Sequence, residues 1–185
     1  LAVERGRVCT HLRQFTEHQI TPAWRRREKI NGRFYRIRVR VIAVVYQTSS
    51  VSARQRLQTA RHRLKRGQTG RYIFQATEGL NRDLVGLIGL DPGEGLVTLV
   101  AEREEPVNLE SAESHPRFQF LPDIGEERYH SFLGVPIIHQ RELLGVLVVQ
   151  QAERRRFDES EEAFLVTMSA QLAGVIAHAR VTGAV

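Results

Sequence analysis

The chain has 185 residues, 42% of them hydrophobic, with a formal net charge of +6. Its single cysteine, Cys9, excludes an internal disulfide and any cluster of cysteine metal ligands. The charge is divided: residues 1–70 hold 17 Lys+Arg against 3 Asp+Glu and residues 71–185 hold 10 against 18, so the overall basicity does not by itself point to nucleic acid.

The basic front contains one strand-like run, residues 39–46, and one helical segment, residues 53–65. From residue 71 the pattern becomes regular. Tyr72, Phe74 and Ala76 alternate along a segment rich in aromatic and β-branched residues, which predicts a strand with those three on one face. Residues 85–90 form a short apolar run that stops at the turn Asp91-Pro92-Gly93. Leu96, Leu99 and Val100 then recur at helical spacing, and the helix is expected to end at Glu104-Glu105-Pro106, because proline disfavours helical backbone in the residue before it. Residues 107–130 are mostly polar and broken by Pro116 and Pro122. So long a loop region inside a compact domain usually covers a binding site.

Two β-rich runs follow, residues 132–138 and 143–151, joined by His139-Gln140-Arg141-Glu142 and expected to pair antiparallel. Both faces of the second run are apolar, which places it centrally in a sheet covered on each side. Pro136 cannot donate a ladder hydrogen bond and predicts a bulge or an unpaired edge. Asp158 is the expected N-cap of a last helix, with Glu161 reaching back as in a capping box. Phe164, Leu165, Met168, Leu172, Val175, Ile176 and Ala179 supply its apolar face, and Gly183 its stop. Together these elements describe an α/β (α+β) sandwich with a central antiparallel sheet. The longest clean apolar run, residues 143–149, is far short of the roughly 20 residues of a membrane span. No secretory signal is visible in Leu1–Arg7, so a cytoplasmic, non-membrane protein is expected.

Four motifs in order, Gly93-Glu94-Gly95-Leu96-Val97, Glu105-Pro106-Val107-Asn108-Leu109, Phe132-Leu133-Gly134-Val135-Pro136-Ile137 and Leu144-Gly145-Val146-Leu147, resemble a GAF domain. Ser114-His115-Pro116-Arg117-Phe118, Glu126-Glu127-Arg128-Tyr129 and Phe157-Asp158-Glu159-Ser160-Glu161-Glu162 add similarity to the GAF domains that front phosphoenolpyruvate–protein phosphotransferases of the nitrogen-related phosphotransferase system. The resemblance implies a GAF core over residues 71–182 with a tail at 183–185. It implies a regulatory module that responds to glutamine or 2-oxoglutarate, with the phosphorylated histidine in downstream domains outside this chain. Two positions depart from the pattern. Thr98 stands where a glycine is usual, and residues 1–70 do not resemble the family's first helix and strand. That front segment has three readings: a divergent first helix and strand, an arginine-rich phosphate-binding arm, or sequence translated out of frame.

No catalytic constellation is visible. His11, His18, His62, His115, His130, His139 and His178 are scattered without metal-ligand spacing, and Ser111 and Ser131 lack a nucleophile elbow. Neither a metal nor a cofactor is expected; a covalent bilin would need a cysteine nearer than Cys9. The expected partners are a small metabolite, the downstream domains and a second copy of the chain, with nucleic acid not expected. A pocket between the sheet and residues 107–131 would need a guanidinium to grip a carboxylate. Arg117 and Arg128 are the candidates, with Asn108, Ser111 and His115 as neutral hydrogen-bonders and Phe118, Tyr129 and Phe132 as walls. The competing view makes Phe132 ordinary core and both arginines surface charges. Two other functions fit the same residues: a structural module dimerising through its last helix, and the sensory domain of a nitrogen-regulatory transcriptional activator.

Overall fold

The structure is a computed structural model that describes residues 70–121 and 123–181, together with the backbone of three earlier strands. Those strands are β1 (Arg27–Ile30), β2 (Arg33–Arg36) and β3 (Val41–Thr48). After them come β4 (Tyr72–Glu78), β5 (Gly89–Leu90), helix α1 (Gly95–Arg103), β6 (Val107–Leu109), β7 (Ser131–His139), β8 (Glu142–Gln151) and helix α2 (Glu159–Val181). β1 and β2 form a separate antiparallel pair, and the other six strands form one sheet in the order β5-β4-β3-β8-β7-β6. Every pairing in that sheet is antiparallel. β3, drawn from the basic front, lies between β4 and β8, so the sheet crosses the boundary at residue 70. The helical segment expected over residues 53–65 and the stop at Gly183 lie outside the described residues.

The β7–β8 pair divides the interior. Leu147 and Val149 on β8 and Leu133, Val135 and Ile137 on β7 pack with Leu165, Met168, Leu172 and Ile176 of α2. Val146 and Val148, with Phe132, face the other way and pack with Leu96, Leu99 and Val100 of α1. The alternation follows from the two-residue period of a strand, and here each parity has its own apolar partner. Gly134 is required at the α1 contact: a Cβ there would stand 2.6 Å from Val100 Cγ2.

Several expectations change in detail. Ala76 does not share a face with Tyr72 and Phe74. Val45 pairs with Ala76 while its neighbour Tyr46 pairs with Phe74, so Gln75 is an extra residue, a bulge that turns Ala76 to the α2 side. Of the run at 85–90 only Gly89–Leu90 is strand. α1 ends through Glu104, which adopts φ 54° and donates its N–H to the Val100 carbonyl, so a left-handed cap stops the helix before Pro106. Pro136 lies beyond the last β6 partner, where β7 has an open edge, and the register shifts just after it, between Ile137 and Ile138. On α2 the capping box is present: Glu161 donates its amide to Asp158 Oδ1 at 2.9 Å, and Asp158 donates to Glu161 Oε2 at 2.8 Å. Val175 is exposed, and Ser169 and Ala173 are buried in its stead; the Ser169 hydroxyl donates to the Pro136 carbonyl. α2 is also long and apolar enough to span a membrane by length and composition, against the expectation that no segment is. In this fold its apolar stripe is packed on the sheet.

The β7–β8 connection is tighter than the four residues expected. His139 pairs with Glu142, leaving Gln140 and Arg141 as a two-residue turn with φ of 49° and 66°. Positive φ at both positions is the type I′ pattern, in which glycine is favoured at the second. A left-handed non-glycine residue costs about 1–2 kcal/mol, against about 0.4–1 kcal/mol of extra chain entropy that glycine adds to the unfolded state. Arg141→Gly is therefore expected to stabilise the chain by roughly 0.5–1 kcal/mol, read as a raised urea midpoint at unchanged slope.

Candidate functional site

A cavity of about 40 Å³ lies on the α1 side of the sheet. Its floor is Phe132, Val148 and Gln150, one wall is Gly95, Leu96 and Val97 at the head of α1, and Leu80 and Leu90 close another side. Phe118, Gln119, Leu121 and Glu126, from the loop before β7, cover it. At about 10–15 Å³ for each water, the space holds roughly three waters as it stands.

The polar groups around this apolar chamber are few. Gln150 is 8% exposed, and its Oε1 has no hydrogen-bond partner among the described residues. Its carboxamide instead hydrogen-bonds the Glu126 carboxylate, whose Oε1 also accepts the Leu121 amide at 3.2 Å. Burial is the main influence on Glu126 and pushes its pKa above the usual carboxylate range, outweighing those two hydrogen bonds. An orphaned buried acceptor costs about 1–3 kcal/mol, so Gln150 Oε1 is a standing demand for a donor.

The head of α1 makes the opposite demand. Gly95 enters the helix at φ 71°, a conformation that suits glycine. Glu94, at the N-cap, places no side-chain bond on the helix and accepts the Asp91 amide at 3.0 Å instead. The first-turn amides of Gly95, Leu96 and Val97 therefore have no hydrogen-bond acceptor among the described residues, at the positive end of the helix dipole. Thr98, the departure from the family's glycine, is fully buried and donates to the carbonyl of Glu94 at 2.7 Å. It also accepts Arg117 Nη2 at 2.8 Å.

The residues singled out from sequence fall into two groups. Phe118 and Phe132 line the cavity, and Tyr129 packs partly buried on the same core. The others lie outside it. Arg117 clasps Glu102 with both guanidinium nitrogens, at 2.6 and 3.2 Å, and so pins the loop to α1. His115 Nδ1 accepts the Arg117 amide, and the Ser111 carbonyl accepts the Ser114 hydroxyl. Asn108 bonds both backbone groups of Phe157 and the Glu162 carboxylate, stapling β6 to the head of α2. Arg128 is exposed and away from the chamber. Glu126, Gln150 and the α1 amides were not foreseen. Gln150 alone left a signal: it shares the parity of Val146 and Val148, a polar residue in an inward register.

A second polar cluster is structural. Arg155 grips Glu161 by two bonds of 2.7 Å and lies 5.4 Å from the Phe157 ring. The Ser131 hydroxyl donates to the Glu110 and Glu153 carbonyls and accepts the Arg155 amide, so it is committed to backbone.

A family model described as the GAF domain matches residues 7–176. A curated relative from Salmonella typhimurium, described as phosphoenolpyruvate-dependent phosphotransferase system, is 50% identical over 111 residues, 60% of this chain; the chain spans only 15% of that relative's length. The GAF domain from a phosphoenolpyruvate-protein phosphotransferase of Coxiella burnetii superposes with a TM-score of 0.65 at 43% identity, covering 81% of this chain and 79% of that one. The corresponding domain from Acinetobacter gives 0.61 at 41% identity, over 80% of this chain and 77% of that one.

The raised pKa of Glu126 has a consequence for stability. The folded state holds this proton more tightly than the unfolded chain, so the contribution is full below the ordinary carboxylate range and is lost as pH rises through the raised value. Glu126→Gln is expected to remove that decline. Urea midpoints of the two proteins from about pH 4 to 7 should diverge, with the variant gaining on the unmodified chain as pH rises.

Proposed function

The chain belongs to the GAF domain family, and on that premise we propose that it is the regulatory front end of a longer cytoplasmic phosphoenolpyruvate–protein phosphotransferase, binding a small metabolite such as glutamine or 2-oxoglutarate. The chain itself is non-catalytic on this reading, and phosphoryl transfer belongs to downstream domains. Identity of 41–43% to GAF domains of such phosphotransferases favours this parent over a transcriptional activator. The observation that carries metabolite binding is the chamber at the head of α1, mostly apolar with a few convergent polar groups. Control follows from the two-faced strands. Phe132, Val148 and Gln150 floor the chamber, while their neighbours Leu133, Leu147 and Val149 carry α2. A shift of these strands on ligand entry is a shift at the seat of α2. Calorimetric titration of the chain with glutamine and with 2-oxoglutarate is expected to show one saturable site for at least one of them. Failure of both to bind to folded protein would end this reading.

One observation favours a second reading, a dimerisation module. Residues 163–179 contain no Asp, Glu, Lys or Arg, and the outward side of α2 exposes Ala163, Val166, Ala170, Gly174 and Val175. An uncharged helix face this long suits a second copy of the same helix. Light scattering is expected to give the mass of two chains, falling to one in Ala170→Glu; a monomer at every concentration of the unmodified chain would refute it.

A further inference from the structure

The loop over the chamber is held down unevenly. Upstream, the Ala112 amide donates to the His130 carbonyl at 2.7 Å. Downstream, Asn81 donates its amide to the Ile124 carbonyl at 3.0 Å and its carboxamide to the Asp123 carbonyl at 3.2 Å. Asp123 and Gly125, at φ 67° and 87°, turn the chain there. Between these anchors, among the described residues, the hydrogen bonds that tie residues 116–121 to another element all belong to Arg117. Apolar contact over the same stretch is shallow: Phe118 and Leu121 are only partly buried, and Phe120 is half exposed. A stretch with so few buried contacts opens locally at low cost.

Arg117 meets two side chains of α1 that lie one turn apart. It donates from both terminal nitrogens to Glu102, at 2.6 and 3.2 Å, and from Nη2 to Thr98 Oγ1 at 2.8 Å. Thr98 is fully buried, and its own hydroxyl proton goes to the Glu94 carbonyl at 2.7 Å. That bond fixes the hydroxyl so that its oxygen is left to accept the guanidinium, whose rigid fork then engages both partners at once. A glycine at position 98 would leave Arg117 with the carboxylate alone. We propose that residues 116–121 are a strap closed over the chamber by a single catch, Arg117 on α1, and that Thr98 is the positioning residue that aims the catch. Release of Arg117 uncovers Phe132, Val148 and Gln150 while the Ala112 and Asn81 anchors stay in place. Release needs no ligand, so this inference stands apart from the metabolite-binding reading. The ion pair is partly exposed, and salt weakens it.

The test is amide hydrogen exchange followed by NMR on the full chain, read at Phe118 and Leu121, whose amides bond only within the loop. Arg117→Met is expected to speed exchange at both by about fivefold or more, with α2 and β8 unchanged within about twofold. Thr98→Val, which removes the hydroxyl at similar shape, is expected to act in the same direction, and Thr98→Ser to match the unmodified chain. The double variant of Arg117→Met and Thr98→Val is expected to exchange no faster than Arg117→Met alone, because both remove one contact. Unchanged exchange at Phe118 and Leu121 in Arg117→Met overturns the proposal. So does an acceleration shared equally by α2 and β8, which is global destabilisation. A change in Thr98→Ser as large as that in Thr98→Val overturns the role of Thr98. Should Arg117→Met fail to fold, the unmodified chain decides: about 0.5 M salt is expected to speed Phe118 and Leu121 alone, and uniform or absent acceleration overturns the catch.

Discussion

The structure depends on one constraint: β7 and β8 are buried on both faces, and each face has a different helix to satisfy. Leu133, Val135, Leu147 and Val149 belong to the α2 side, Phe132, Val146 and Val148 to the α1 side. Fully burying a side chain of this size contributes about 1.5–3 kcal/mol, so a one-residue slip of either strand would exchange the two sets and lose much of both cores. Register is held at one end by the Gln140-Arg141 turn and, beyond Pro136, by the bond from Ser169. The chamber is a local exception, where Gln150 occupies a position that the pattern reserves for an apolar residue.

Much of the fold was legible because the signals were local. Asp158 and Glu161 are three residues apart, and their reciprocal bonds need nothing else. The double-sided β8 could be read from alternation alone. What the sequence did not disclose depends on distant partners. Ala76 changes face because β3 pairs with β4 through a bulge, which no pattern within β4 announces. Val175 has helical spacing, yet it lies on the outward side of α2, away from the stripe that packs on the sheet. The turn at Gln140-Arg141 lacks the glycine or asparagine that would have marked it as two residues long.

The site shows the same division. Phe118 and Phe132 could be named as walls because large aromatic side chains favour burial, although Phe120, two residues after Phe118, is half exposed. Asn108 and Arg117 attracted attention for their chemistry, and the fold engages that chemistry internally, through Phe157 and Glu162 in one case and Glu102 in the other. The α1 amides carry no side-chain signature, and Glu126 differs from Glu127 only in which way the loop turns it.

The pins on the covering loop act on sensitivity. On the proposed metabolite-binding reading, the chamber would bind in a more open form, and the apparent affinity of such a site is its intrinsic affinity scaled by the fraction of time it is open. Arg117, bonded to Glu102 and Thr98 and not lining the chamber, would help to set that fraction. On that reading, the threshold concentration of the response would be adjustable at a surface ion pair, separately from the groups that recognise the ligand. Variation at Glu102 or Thr98 would retune the gain of the sensor and leave its specificity alone.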